Sequence, residues 1–100
     1  MELLQSAISG TLESSDCQVM VQPSDTLTLE ITSSVMEQYG EQIEKSIRDV
    51  LEELGVQHVN LKLNDKGALD CTIKARVVTA ILRACQIDTE INWKGLMKDE

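Results

Sequence analysis

Ser14, Ser15 and Asp16 stand together between two runs with strand character, in the stretch Gly10-Thr11-Leu12-Glu13-Ser14-Ser15-Asp16-Cys17. Ser and Asp side chains hydrogen-bond to nearby main chain and so favour turns. Strand-like runs joined by such residues form a hairpin whose tip presents a hydroxyl to solvent. An exposed serine there has two readings: an attachment point for a covalent group, or a plain turn residue.

The remaining reactive side chains do not assemble into a catalytic centre on paper. His58 is the single histidine, and its parity sets it opposite Val59, Leu61 and Leu63, on the solvent side of a strand. A general base needs a nucleophile to serve, and no Ser or Cys stands at a suggestive local spacing from it. Cys17, Cys71 and Cys85 are widely spaced without a Cys-x-x-Cys pair, which fits neither a disulfide framework nor a zinc site. All three fall on apolar faces of their segments and read as buried, inert thiols. No Gly-rich phosphate loop and no carboxylate cluster with metal-loop spacing is present. Arg48, Arg76 and Arg83 are isolated in the sequence.

At 100 residues the chain is read as one domain, residues 1–100, with one small core. With no Phe, one Trp (Trp93) and one Tyr (Tyr39), that core must be aliphatic. Nine basic against seventeen acidic side chains give a formal charge of −8. Nucleic-acid binders cluster Lys and Arg against phosphates, so this balance argues against nucleic acid, and equally against anionic membrane surfaces. It suits protein partners with basic docking patches. No apolar run approaches the ~20 residues of a membrane span. Met1-Glu2-Leu3-Leu4-Gln5-Ser6 lacks the basic start and long apolar stretch of a signal peptide, so a cytoplasmic location is expected.

The elements that must position Ser14 follow from periodicity. Leu3, Leu4, Ala7 and Ile8 suit a helical turn or a strand entry, and Gly10 permits a bend before the tip. Cys17, Val19 and Val21 alternate with polar residues as a half-buried strand, and Pro23-Ser24-Asp25 breaks it. Leu27, Leu29 and Ile31 repeat the pattern. A long helix then opens at Ser34 with a Ser34/Glu37 capping box and closes at Gly55. Its apolar stripe is Val35, Tyr39, Ile43, Ile47, Val50, Leu51 and Leu54, and Glu41–Lys45 and Glu44–Arg48 stand at ion-pair spacing on the other side. That acidic side reads as a docking surface or as an ordinary solvated face. Val59, Leu61 and Leu63, the turn Asn64-Asp65-Lys66-Gly67, and Leu69, Cys71 and Ile73 read as a second hairpin. A shorter helix runs from Arg76 to Gln86, and the tail from Ile87 adds an edge strand or frays. The expected fold is therefore α+β: a small, mostly antiparallel sheet ordered hairpin, strand, helix, hairpin, helix, with two helices on one face.

Gly10-Thr11-Leu12-Glu13-Ser14-Ser15-Asp16 resembles the N-terminal signature of the citrate lyase acyl carrier protein family, the gamma subunits of that complex. Further matches follow in order: Glu53-Leu54-Gly55-Val56, then Asp65-Lys66-Gly67-Ala68-Leu69, then Lys74-Ala75-Arg76-Val77, with Ala84 beyond. The first nine residues, the Pro23 region and the tail after Gln86 diverge from it. The resemblance implies a non-catalytic carrier, and that Ser14 bears phosphoribosyl-dephospho-CoA through a phosphodiester. The thiol of that group would hold acetyl and then citryl thioesters. Its implied partners are the transferase (alpha) and lyase (beta) subunits, which release acetate and oxaloacetate from citrate, and the transferase that attaches the group. Two other readings stand beside it: the acyl carrier of malonate decarboxylase, and an acidic interaction module without a prosthetic group. Ordinary acyl carriers place an Asp-Ser-Leu site at a helix start, whereas Ser14 follows Glu13 in a β context.

Overall fold

The computed structural model describes residues 2–33 and 36–85, with side chains for 2–33 and 40–85. The order is β1 (Ala7–Gly10), β2 (Cys17–Pro23), β3 (Leu27–Ser33), α1 (Met36–Leu54), β4 (Val59–Asp65) and α2 (Asp70–Ala84). Four strands form one sheet in the order β1-β2-β4-β3. β1 pairs antiparallel with β2 through Ala7↔Val21 to Gly10↔Gln18, and β2 antiparallel with β4 through Cys17↔Asp65 to Pro23↔Val59.

Alternation along the strands sets the core. Cys17, Val19 and Val21 of β2 and Val59, Leu61 and Leu63 of β4 are all buried on one face. Ile43, Ile47, Val50 and Leu51 of α1 and Ile73, Val77, Ala80 and Ile81 of α2 close over them. Branched aliphatic side chains, alanines and Cys17 make up this layer, with no aromatic residue among its described members. Both helices lie on this one face and the other stays open, as the α+β expectation required.

Two details of that expectation are corrected. β3 pairs with β4 in parallel, from Leu27↔Val59 to Ser33↔Asp65, so the sheet is mixed. α1 carries the chain back along the sheet, and a strand that follows such a crossover runs parallel to the one before it. The second hairpin does not form either, because residues 70–84 are helix. Ile73, Val77, Ala80, Ile81 and Ala84 recur at helical spacing and are all buried. That series outweighs the three-residue alternation of Leu69, Cys71 and Ile73. Cys71 consequently faces solvent, against its expected burial, and Cys85 is half-buried.

Helix α1 ends as expected. Gly55 adopts φ 69, its N–H donates to the Glu52 carbonyl at 3.1 Å, and the Val56 N–H donates to the Leu51 carbonyl at 2.9 Å. This is the Schellman arrangement that satisfies terminal carbonyls. Arg48 pairs with Glu44 at 2.8 Å, but Lys45 turns to Asp49 at 3.2 Å instead of Glu41. The Ser34/Glu37 capping box, Val35 and Tyr39 of the stripe, the expected helix end at Gln86 and the tail from Ile87 lie outside the described side chains. Among the described residues no helix is long and apolar enough to cross a membrane.

Candidate functional site

The tip begins where β1 ends. Gly10 has φ +88, and a Cβ there would stand 1.9 Å from the Cys17 carbonyl oxygen and 3.2 Å from Cδ of Arg76. Backbone approaches backbone so closely that only glycine fits. The loop from Thr11 to Asp16 then closes on itself. The Thr11 hydroxyl accepts from the Glu13 N–H at 3.2 Å and donates to Asp16 Oδ2 at 2.7 Å, while the Asp16 N–H donates to the Glu13 carbonyl at 3.2 Å. Ser14 and Ser15 make the turn, Ser15 with φ 68 in the left-handed region. The Ser15 N–H donates to the Lys66 carbonyl at 2.8 Å, and the Lys66 N–H donates to the Asp16 carbonyl at 2.9 Å. The β2–β4 pairing thus continues up the loop and stops beside Ser14. Ser14 itself is exposed, and among the described residues its hydroxyl has no hydrogen-bond partner.

Asp16 is the fixed point of this loop. Arg76 reaches it from α2 with two parallel bonds, Nε to Oδ1 at 3.0 Å and a terminal nitrogen to Oδ2 at 2.9 Å. The Cys17 N–H adds a third bond to Oδ1 at 2.7 Å. The Arg76 bonds, with help from Thr11 and Cys17, hold the Asp16 carboxyl down from its ordinary 3.8 to about 2. A carboxyl depressed in the folded state stabilises it above the unfolded pKa, and that contribution fades as pH falls through the folded value. The loop is therefore expected to loosen between pH 3.8 and about 2, followed as faster exchange of the Ser15 and Cys17 amides. Arg76→Ala should bring the same loosening at neutral pH. Exchange at those two amides should rise by roughly tenfold on loss of a forked, charge-assisted pair, with β4 core amides unmoved. Unchanged exchange at Ser15 in that variant would mean the pair does not hold the loop.

Around the base of the tip a second set of contacts fixes the neighbouring loop. Asp65, buried at the end of β4, accepts from the Ser33 hydroxyl at 2.8 Å and from the Ala68 N–H at 2.9 Å. Asp70 accepts from the Ser46 hydroxyl and lies 3.5 Å from Nζ of Lys74. The hairpin tip, the end of β3 and the loop from Lys66 to Leu69 therefore gather at one end of the sheet.

His58 lies at the opposite end of β4, exposed. The seven residues of β4 separate it from Lys66, and eight steps at ~3.3 Å per residue make about 26 Å, so it is no base for Ser14. Among the described residues no group of His, Cys, Asp and Glu is placed to hold a metal ion. Cys17 is fully buried beneath the tip, and burial first, then the charges of Asp16 and Asp65, push its thiol up to about 11. Native alkylation should accordingly label Cys71 and spare Cys17 until the chain unfolds, which peptide mass mapping reads directly. The clamp formed by Thr11, Asp16 and Arg76 has no local signal in the sequence: Asp16 reads there only as a turn residue, and Arg76 is 60 positions away from it.

This arrangement presents the Ser14 hydroxyl on a loop clamped by Asp16 and Arg76. Residues 4–84 match the ACP family model described as malonate decarboxylase delta subunit (MdcD). The fold matches a chain in the crystal structure of a Pseudomonas malonate decarboxylase hetero-tetramer in complex with malonate, with a TM-score of 0.74 at 15% identity, covering 84% of this chain and 88% of that one. In sequence the chain is 52% identical to a citrate lyase acyl carrier protein of Haemophilus influenzae, over 97% of this chain and 100% of the relative. It is 49% identical to the citrate lyase acyl carrier protein of Streptococcus mutans, over 96% of this chain and 95% of the relative. Sharing half its residues with these carriers across almost its whole length, the chain belongs to the citrate lyase acyl carrier protein family.

Proposed function

We propose that this chain is the acyl carrier subunit of a citrate lyase complex and that Ser14 is the residue to which phosphoribosyl-dephospho-CoA is joined by a phosphodiester. The observation that carries the reading is the exposed Ser14 hydroxyl at the apex of a loop clamped by Asp16 and Arg76, in a chain half identical to citrate lyase acyl carriers. The site suits such a group: the hydroxyl is unencumbered, and around Gly67 on the adjoining loop no atom stands within 4 Å of an added Cβ. Bound there, the group supplies a thiol at the end of a long arm, on which acetyl and citryl units pass between a transferase and a lyase subunit.

The chain's own residues do the positioning. Thr11, Asp16 and Arg76 fix where the arm starts, and Gly10 fixes how the loop leaves the sheet. A tethered reactant from a fixed base reaches neighbouring active sites at high effective concentration without diffusing away. The acidic face of α1, with Glu41, Glu44, Glu52 and Glu53, suits docking on basic patches of larger subunits.

Intact mass and peptide mapping of the protein purified from its own cells, within an active citrate-cleaving complex, tests this. A nucleotide-containing adduct on the peptide bearing Ser14 is the expected result. An unmodified chain in an active complex would sink the carrier reading and favour an interaction module. The fold match to a malonate decarboxylase component keeps a malonyl carrier as the second reading. Transfer assays with purified partner subunits separate the two, since a citrate lyase carrier should accept acetyl and citryl groups and refuse malonyl.

A further inference from the structure

Beside the tip lies a cleft of about 370 Å³ between the first half of α1, the loop after β4 and the start of α2. Its floor is apolar, from Ile43 and Ile73, and Leu69 and Gly67 form its outer rim. Leu69 is 70% exposed, more than any other large apolar side chain among the described residues. The walls carry the carboxylates of Asp65 and Asp70. The volume falls within the range of small-molecule sites, at its lower end. The cleft opens off the carboxyl ends of two adjacent parallel strands, where open α/β sheets receive ligands. It also adjoins the tip directly: Lys66, which accepts from the Ser15 N–H, precedes Gly67 on the rim.

We infer that this cleft is a resting site for the thiol end of the arm attached at Ser14, an inference that rests on the reading above. The chemistry of the cleft selects which part of the arm enters. The phosphate-bearing start of the arm is anionic and is repelled by Asp65 and Asp70. The far end is a neutral chain of amides and methylenes ending in sulfur, which matches an apolar floor with polar edges. A free thiol or a small neutral acyl group fits there, whereas an acyl group carrying carboxylates meets the same two carboxylates and stays outside. The cleft would thus shield the arm between transfers and release it once a charged acyl group is loaded.

Leu69→Asp is the decisive variant. Leu69 occupies the N-cap position of α2 without a side-chain cap, so an aspartate there should hold or improve stability while it replaces the apolar rim with charge. The experiment compares modified and unmodified full-length protein, after mass mapping has established the adduct on Ser14. Backbone amide NMR should shift at Gly67, Leu69, Asp70 and Ile43 when the arm is present, and those shifts should vanish in Leu69→Asp. Alkylation of the arm's thiol, counted by mass separately from Cys71, should be faster in the variant. If the cleft holds four arms in five, the gain is roughly fivefold, because reactivity follows the free fraction. Shifts confined to residues 11–17, with equal alkylation rates, would overturn the resting site and leave the attachment at Ser14 intact. Shifts at Ile8, Met20 and Asn60 would place the arm on the open sheet face and overturn it too. Shifts in the cleft that appear in unmodified protein only on adding the partner subunits would make it a protein-docking surface instead. Absence of any adduct on Ser14 would remove the reading on which the resting site depends.

Discussion

Ser14→Ala is expected to abolish acyl carriage while moving stability by no more than about 0.5 kcal/mol, the usual range for an exposed side chain without partners. The hydroxyl is exposed and donates to nothing described, so the clamp of Thr11, Asp16 and Arg76 should persist unchanged in the variant. The neighbouring serine is the control. Ser15 sits at φ 68 with its N–H on the Lys66 carbonyl, so its role lies in the backbone. Ser15→Ala should keep the adduct and move stability by no more than about 0.5 kcal/mol, because serine already carries the Cβ that the left-handed region disfavours. Incubation of each variant with the modifying transferase and its activated donor, read by intact mass, separates them. An adduct on Ser14→Ala at the wild-type rate would move the attachment elsewhere.

The largest effect on stability is expected at Gly10. A methyl group there would stand 1.9 Å from the Cys17 carbonyl oxygen, and no rotamer change relieves a contact with backbone. The positive φ of +88 adds strain for any L side chain. Gly10→Ala should therefore cost about 3 kcal/mol or more, a large share of the ~5–15 kcal/mol that holds a domain of this size. At about 4–8 °C per kcal/mol, the thermal midpoint should fall by roughly 12–24 °C. Gly67→Ala is the informative comparison: its φ is +93, but nothing stands within 4 Å of the added carbon. It bears only the conformational term, about 1–2 kcal/mol. Equal melting of the two variants would mean that β1 and β2 do not approach as closely as described.

The hairpin tip was legible because its signals are local. Ser14, Ser15 and Asp16 are turn formers between alternating runs, and α1 carries its own stripe and its closing glycine within a few residues. The clamp was illegible for the opposite reason. Asp16 and Arg76 meet only because α2 packs across β1 and β2, and nothing in either neighbourhood announces the other. The parallel pairing of β3 with β4 was within reach, since strand, long helix and strand in succession favour a crossover over a hairpin. The start of α2 was lost to competition between two periods. Leu69, Cys71 and Ile73 fit a strand, while Ile73, Val77, Ala80 and Ala84 fit a helix; Asp70 and Lys74, four residues apart and paired at 3.5 Å, were the local sign favouring the helix.

The bonds that close the tip run to Lys66 and Arg76, residues synthesised fifty and more positions after Ser14. On a nascent chain Ser14 therefore emerges early but acquires its shape late, after α1, β4 and the first half of α2 have been made. Such distant pairings form only once the intervening chain has been ordered. A modifying enzyme that recognises the closed loop would consequently act on finished carriers and pass over truncated or misfolded ones, making attachment of the arm a checkpoint on folding.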